Sequence, residues 1–384
     1  MGEQADAAAN LDGRSVAERL EFTRALVGKA QPVSQWNHVV TRDNIKHWAM
    51  GVGDDNPLWW DDDYASRSPA GGLTAPPSYL YSHANGTHLA ARGEQSRLWD
   101  LPSLVIGERW AWRRSVRLDE VIRAERVLVE VTADAPAGFS GAIATELTRT
   151  DFRTPQGELV AENFCKIARF DDVEKIAERI GTDRPLATYD AAERDRIEKH
   201  YRQEASLRRG SLPRPYEDCQ VGERLPTQLK GPLHLNNMIG YLLGQGNPWN
   251  ATNRMFYALL DRAPSMRVVN RDAGVADAWP SAHWEPSLAS QMGLPGGYDY
   301  AAQRCSWMAQ VVTDWMGDHG VLKELDVRIV RPNMMNDLTI VEAEVVNKSD
   351  ASHLVEARLT AKNQLDDVTA EGLAIVALPG RGAA

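Results

Sequence analysis

The sequence predicts an α+β protein made of two like modules, and three observations carry that expectation. The two halves of the chain repeat one order of patterns. Each half closes in alternating, Val-rich segments of antiparallel type. A strongly charged stretch separates them. The length of 384 residues, with 43% hydrophobic and 25% charged residues, suits a globular chain of two domains or one of double size.

Taken in order, residues 1–30 read as a tail and an amphipathic helix, "SVAERLEFTRALVG". The first module, residues 31–171, opens with "VTRDNIKHWAMGVGDDNPLWWDDDYA", a helix running into a turn. A Gly-rich turn and a long helix follow in "GGLTAPPSYLYSHANGTHLAAR", where Pro76 and Pro77 suit a helix start. "RRSVRLDEVIRAERVLVEVTAD" reads as strand, turn at Asp119, strand, and "GELVAENFCKIARF" closes the sheet. Residues 172–215 form a charged helical connector with a solvated surface.

The second module, residues 216–380, repeats this order. "GPLHLNNMIGYLLGQGNPW" matches the first helix and turn, with "GQGNPW" standing against "GDDNPLW". "GLPGGYDYAAQRCSWMAQVVTDWMGDHG" matches the Gly-rich turn and long helix. Trp307, Met308, Val311, Val312 and Trp315 recur there at helical spacing, as in a buried core helix. "VRIVRPNMMNDLTIVEAEVVNKSD", with its turn at Asp337, and "AEGLAIVALP" supply the strands.

Composition excludes several classes. A net charge of −10 argues against sequence-independent binding of nucleic acid. No run of about eighteen apolar residues is present, so no membrane span is expected. The first ten residues lack the basic and apolar regions of a signal peptide. Cys165, Cys219 and Cys305 are odd in number and widely spaced, as expected of reduced thiols in a cytoplasmic protein. The nine histidines show no metal-ligand spacing, and no Walker loop or strand–GxGxxG–helix unit occurs.

"GDDNPLWWDDDYA" carries a family resemblance. Gly53, Asp54, Asn56, Pro57, Leu58, Asp61 and Ala65 fall in the register Gly-Asp-x-Asn-Pro-Leu-His-x-Asp-Pro-x-x-Ala. That pattern resembles the MaoC-like, R-specific enoyl-CoA hydratases. The second half is similar in two pieces: Gly244, Asn247 and Pro248, then His283, Glu285, Pro286 and Ala289 after an insertion. The resemblance implies a double hotdog, in which each module is a long central helix wrapped by an antiparallel sheet. It also implies reversible hydration of an enoyl-CoA, or dehydration of a 3-hydroxyacyl-CoA, with no cofactor beyond the CoA of the substrate. An acyl-CoA thioesterase and a non-catalytic acyl-CoA-binding subunit of a hetero-oligomeric hydratase are the alternatives. The family also allows a homodimer or hetero-oligomer of hotdog modules.

In the family the motif's Asp and His grip one water, which suits acid–base catalysis. Helix-start N–H groups can hold the enolate oxygen. Here neither half has the pair. Trp59 stands at the His position of the first half, and Gln245 at the Asp position of the second. The catalytic candidates are therefore His283, Asp54 and Asp277, with Glu285 and Asp299 as other substitute carboxylates. Three arrangements stay open: a second-half site with a substitute acid, a site shared by Asp54 and His283, or binding without turnover. Asn56, Gly72, Gln245, Asn247, Gly296 and Tyr298 are the candidate substrate-binding residues. Asp299 and Arg304 read as a cap and ion pair at the second long helix. The twelve tryptophans fit an aromatic-lined pocket or core packing equally.

Overall fold

The computed structural model describes residues 15–84, 96–99, 101–136, 138–180, 184–246 and 248–382. One ten-stranded sheet runs through it in the order β1-β3-β4-β5-β2-β9-β12-β11-β10-β6. The first five positions belong to the first half: β1 (Ala30–Pro32), β2 (Ser103–Trp112), β3 (Arg123–Thr132), β4 (Ala144–Arg153) and β5 (Leu159–Arg169). The last five belong to the second: β6 (Gln228–Lys230), β9 (Val321–Ile329), β10 (Thr339–Ser349), β11 (Leu354–Lys362) and β12 (Val368–Ala377). The antiparallel pairing of β2 with β9, from Gly107 opposite Arg328 to Ala111 opposite Glu324, joins the halves. The hairpin β7 (Arg267–Asn270) and β8 (Val275–Ala278) stands apart in the insertion.

Alternation orients the strands. On β2 every second residue, Ile106, Glu108, Trp110 and Trp112, is buried. On the second half the buried set is apolar, including Val327, Ile329, Val341, Val345, Leu359 and Val376. That surface wraps the helix Ala301–Met316, whose residues from Gln303 to Met316 are all buried. A helix enclosed on every side needs an apolar core around it, and Met308, Val311, Val312 and Trp315 supply one.

The first half differs. Its central segment is a short 3-10 turn, Pro77–Leu80, followed by the helix Tyr81–Ala84. The rest of the segment read from the sequence as a long helix lies outside the described residues. The connector contains two helices, Val173–Ile180 and Ala191–Glu204. The N-terminal helix, Val16–Arg24, starts at a capping box of Ser15 and Glu18.

Three helices position the candidate sites: α1 (Arg42–Val52), α2 (Leu235–Gln245) and α3 (Ala301–Met316). Helices α1 and α2 cross at glycines. A Cβ on Gly51 would clash with the carbonyl of Gly240, and one on Gly244 would lie 3.0 Å from His47 O. Only glycine permits that approach of two backbones. The contacts are reciprocal, with Gly51 against Tyr241 and Gly244 against Trp48, as a pseudo-twofold axis between the halves requires.

Candidate active site

That axis relates two cavities built from corresponding parts. In each half a residue after the Gly-rich turn bridges to the first strand connection, Thr74 to Arg117 and Tyr298 to Met334. Thr74 lines one cavity and Tyr298 the other. Both cavities also take residues from the opposite half: Val321 and Leu322 at the first, Ser103 to Val105 at the second. The first encloses about 60 Å³ and the second about 190 Å³.

At the second cavity, His283 ends the 3-10 turn Trp279–His283. Its Nδ1 lies 2.7 Å from the carbonyl oxygen of Tyr298. A carbonyl only accepts, so Nδ1 carries the hydrogen and Nε2 keeps its lone pair. The imidazole lies between two rings, 4.0 Å from Tyr298 at 40° and 3.9 Å from Tyr300 at 17°. Burial lowers its pKa to about 4, partly opposed by the bond to Tyr298, so the ring is a neutral base at neutral pH. Gly297 lies against the backbone carbonyl of His283, where a Cβ would clash.

Helix α3 begins beside this ring. Tyr300 is its N-cap residue, no side chain caps the end, and Ala301 lines the cavity. The first N–H groups of a helix have no acceptor within it, and the helix dipole favours negative charge there. Asp299 and Arg304 stabilise this start. The Asp299 carboxylate accepts from Arg304 Nε at 2.9 Å and from Asn333 N at 3.0 Å. Arg304 donates onward to Arg331 O at 2.6 Å and Thr369 O at 2.8 Å. Burial pushes the Asp299 carboxyl up, against the opposing effect of Arg304. The pair is an internal staple with its charges already engaged.

Of the other substitute carboxylates, Glu285 caps a helix and Asp277 bonds the backbone of its neighbour. Asp277 accepts from Ala278 N at 2.7 Å, where the 3-10 turn begins. Glu285 accepts from Ser287 N at 3.3 Å, as the cap of the helix Pro286–Gln291. Neither lines the cavity.

At the first cavity the same positions carry different chemistry. Trp59 occupies the motif's His position, and its indole side chain helps to hold down the pKa of Asp54. Pro76 and Pro77 stand at the helix start and have no N–H to offer. Asn56 caps the helix Pro57–Trp60 by accepting from Leu58 N at 3.0 Å, and it lines this cavity. Asp54 is buried and accepts from Asn56 N at 3.1 Å. Burial and the nearby charge of Asp314 raise its pKa to about 7, against the opposing Arg208. Asp314 in turn accepts from Arg208 Nε at 3.0 Å and Gln228 Nε2 at 2.7 Å.

The structure separates Asp54 from His283. His283 stacks on Tyr300 before the first turn of α3, and Asp54 is grouped with Asp314 in its last turn. Thirteen residues of helix span roughly 20 Å. A catalytic pair of these two residues is thereby excluded.

The second-half motif register also needs correction. Helices α1 and α2 both have eleven residues and end in left-handed glycines, Gly53 and Gly246. Gln245 therefore corresponds to Val52, inside the last helical turn, and Asn247 corresponds to Asp54. Asn247 lies outside the described residues. The two-residue slip arose because "GDDN" and "GQGN" align by letters, whereas the chain aligns by the glycine that closes the helix. Gln245 is buried, and its Oε1 has no partner among the described residues. Gly296 packs on Leu186, and Gly72 has open space around it. Neither glycine lines a cavity.

Sequence reasoning missed Tyr300, whose signal was the Tyr-Asp-Tyr run directly after a Gly-Gly turn. It also missed the loss of N–H donors at Pro76 and Pro77, read there only as a helix start. Among the described residues, no group of three His, Cys, Asp or Glu side chains could hold a metal ion. No helix among them is long and apolar enough to cross a membrane.

Paired sheets on helices with two pseudo-equivalent cavities define a double hotdog protein. Similarity to solved structures agrees. A MaoC-like dehydratase superposes with a TM-score of 0.63 at 16% identity, over 93% of this chain and 99% of that one. A putative MaoC domain protein dehydratase from Chloroflexus aurantiacus J-10-fl gives 0.54 at 12%, over 93% and 96%. A conserved hypothetical protein of Mycobacterium tuberculosis, described as a double hotdog fold, gives 0.52 at 12%, over 92% and 96%. Residues 25–163 match the family model of the FAS1-like dehydratase domain region. A UPF0336 protein of Parafrankia sp. (strain EAN1pec) is 28% identical over 128 residues, 33% of this chain and 82% of that protein. The chain thus shares the double hotdog fold of these proteins, and its residues 25–163 are similar to a dehydratase domain region.

Proposed function

We propose that the cavity at the start of α3 adds water reversibly to an enoyl-CoA, equivalently dehydrating a 3-hydroxyacyl-CoA, with protein groups alone. The observation that carries this reading is a neutral imidazole, its Nε2 lone pair free, in the same cavity as an uncapped helix start. Leu104, Val105, Phe139 and Ile329 give that cavity an apolar wall suited to an acyl chain.

In the hydration direction, the thioester carbonyl accepts from the N–H at Ala301. His283 Nε2 takes a proton from water as the oxygen bonds to Cβ. Electrons of the double bond move onto the thioester oxygen, and the helix start stabilises that enolate. The imidazolium then returns the proton to Cα from the same face, so one group acts as base and then acid. Glu285 is held as a cap, Asp277 stands outside the cavity and Asp299 is paired to Arg304, and this scheme uses no second carboxylate.

The test is a panel of short, branched, aromatic and steroid-type enoyl-CoAs, with products separated by liquid chromatography and identified by mass. A water adduct from wild type, lost in His283→Ala, supports the reading. Release of free CoA without an adduct would assign a thioesterase. Tight binding without turnover would assign an acyl-CoA-binding subunit.

A further inference from the structure

The imidazole of His283 is held on three sides by groups the reaction scheme does not use. Tyr298 fixes Nδ1 through its backbone oxygen. The ring of Tyr300 lies almost parallel to the imidazole at 3.9 Å, with only 17° between planes. Tyr300 is itself backed by Tyr241, 5.5 Å away at 32°, and Tyr241 is fully buried against Trp48 at 5.9 Å. Rings propagate rigidity well because each has few torsions and a large flat contact. The line Trp48–Tyr241–Tyr300–His283 therefore anchors the imidazole to α1, the first helix of the other module.

We propose that Tyr300 is a positioning residue for His283: its ring fixes the imidazole plane and walls it from water, so that Nε2 faces the start of α3. This inference rests on the reading that the second cavity is the reactive one. The charged groups lining that cavity are Asp299 and Arg304, paired to each other, and Arg331. Glu285, two residues along, is occupied as a helix cap. Tyr298 supplies a phenol whose burial keeps it protonated throughout the working range. None of these groups places an unpaired negative charge at the imidazole, so water exclusion by the rings is what sets its protonation state.

The test has two readouts. The first is the His283 titration by NMR on histidine-labelled protein without substrate, its signal assigned by absence in His283→Ala. The second is the split between kcat and KM. Tyr300→Phe keeps the ring, so midpoint and kcat should stay within about twofold of wild type. Tyr300→Ala admits water, so the midpoint should rise from about 4 towards the ordinary histidine value of about 6.5. Its kcat should fall about tenfold or more with KM little changed, as for a displaced base. Tyr300→Leu, which preserves most of the volume if the alanine variant fails to fold, should lower kcat without moving the midpoint as far. The inference is overturned if removing the ring leaves midpoint and kcat unaltered, or if Tyr300→Phe behaves like Tyr300→Ala, since the hydroxyl would then be the active part. If no variant and not wild type hydrates any thioester, the reaction scheme falls, and the titration alone still decides whether Tyr300 positions the imidazole.

Discussion

The two cavities occupy equivalent places and differ in three substitutions that act together. Where the second has His283, the first has Trp59. Where α3 offers an N–H at Ala301, the first module has Pro77, which has none, followed by Ser78. Where the second keeps about 190 Å³ open, the first keeps about 60 Å³. A base without an oxyanion site, or the reverse, has little use, so the proposed reaction assigns no turnover to the first cavity. Yet the motif's aspartate lies on that side. There Asp54 sits beside Asp314, which is bound to Arg208. A motif residue thus persists as part of a buried charge cluster, apart from any catalytic partner.

The comparison can be broken most sharply by unequal loss of turnover. His283→Ala should cost about 10²–10⁴-fold in kcat, the usual range for a general acid–base group. Asp54→Asn should change kcat by less than about threefold, measured on the best substrate of the panel. Equal losses would reunite the two residues functionally, against their separation along α3.

Next in size is the shared crossing of the halves. Gly51→Ala drives a methyl group into the carbonyl of Gly240. It should destabilise the protein by roughly 1–3 kcal/mol, the usual cost of overpacking, read as a lower urea midpoint. Gly53→Ala, with open space around its left-handed backbone, should cost about 1 kcal/mol through strain alone.

Asp54 also carries a signature in pH. Its folded pKa, about 7, lies above the ordinary carboxylate value, so the fold favours the protonated form. That contribution is present at acid pH and is lost as pH rises from about 4 to about 7. Asp54→Asn should therefore raise Tm at pH 8 while leaving it nearly unchanged at pH 4, as a thermal scan would read.

The smallest expected effect sharpens the comparison furthest. Trp59→His rebuilds the motif beside Asp54, but Pro77 still supplies no N–H at the place of Ala301. In a His283→Ala background it should restore less than about a tenth of the lost turnover. Substantial recovery would show that the donors, and with them the helix start, matter less than the base.

Much of this was legible in the sequence. Two like α+β modules followed from the repeated order of patterns, the double hotdog from the family resemblance, and the buried helix from Trp307, Met308, Val311, Val312 and Trp315. Asp299 and Arg304 formed the expected ion pair. What sequence could not resolve was register at the second turn, because two glycines, Gly244 and Gly246, compete for the match to Gly53. Backbone handedness settles it, and only the three-dimensional chain displays handedness. Nor could spacing tell that Asp54 and His283 lie at opposite ends of one helix. Glu285 looked available as an acid because a cap and a catalyst are the same carboxylate until the hydrogen bonds are seen, and Asp277 because spacing does not show that it stands outside the cavity.

The continuous sheet across β2 and β9 has a consequence for symmetry. Two separate identical chains would give two identical cavities, and any substitution in one would appear in both. Joined in a single polypeptide, the halves become separately mutable, so one can fill its cavity with tryptophan and proline while the other keeps its imidazole. The covalent link turns a symmetric dimer into a molecule whose inequality is written in its gene.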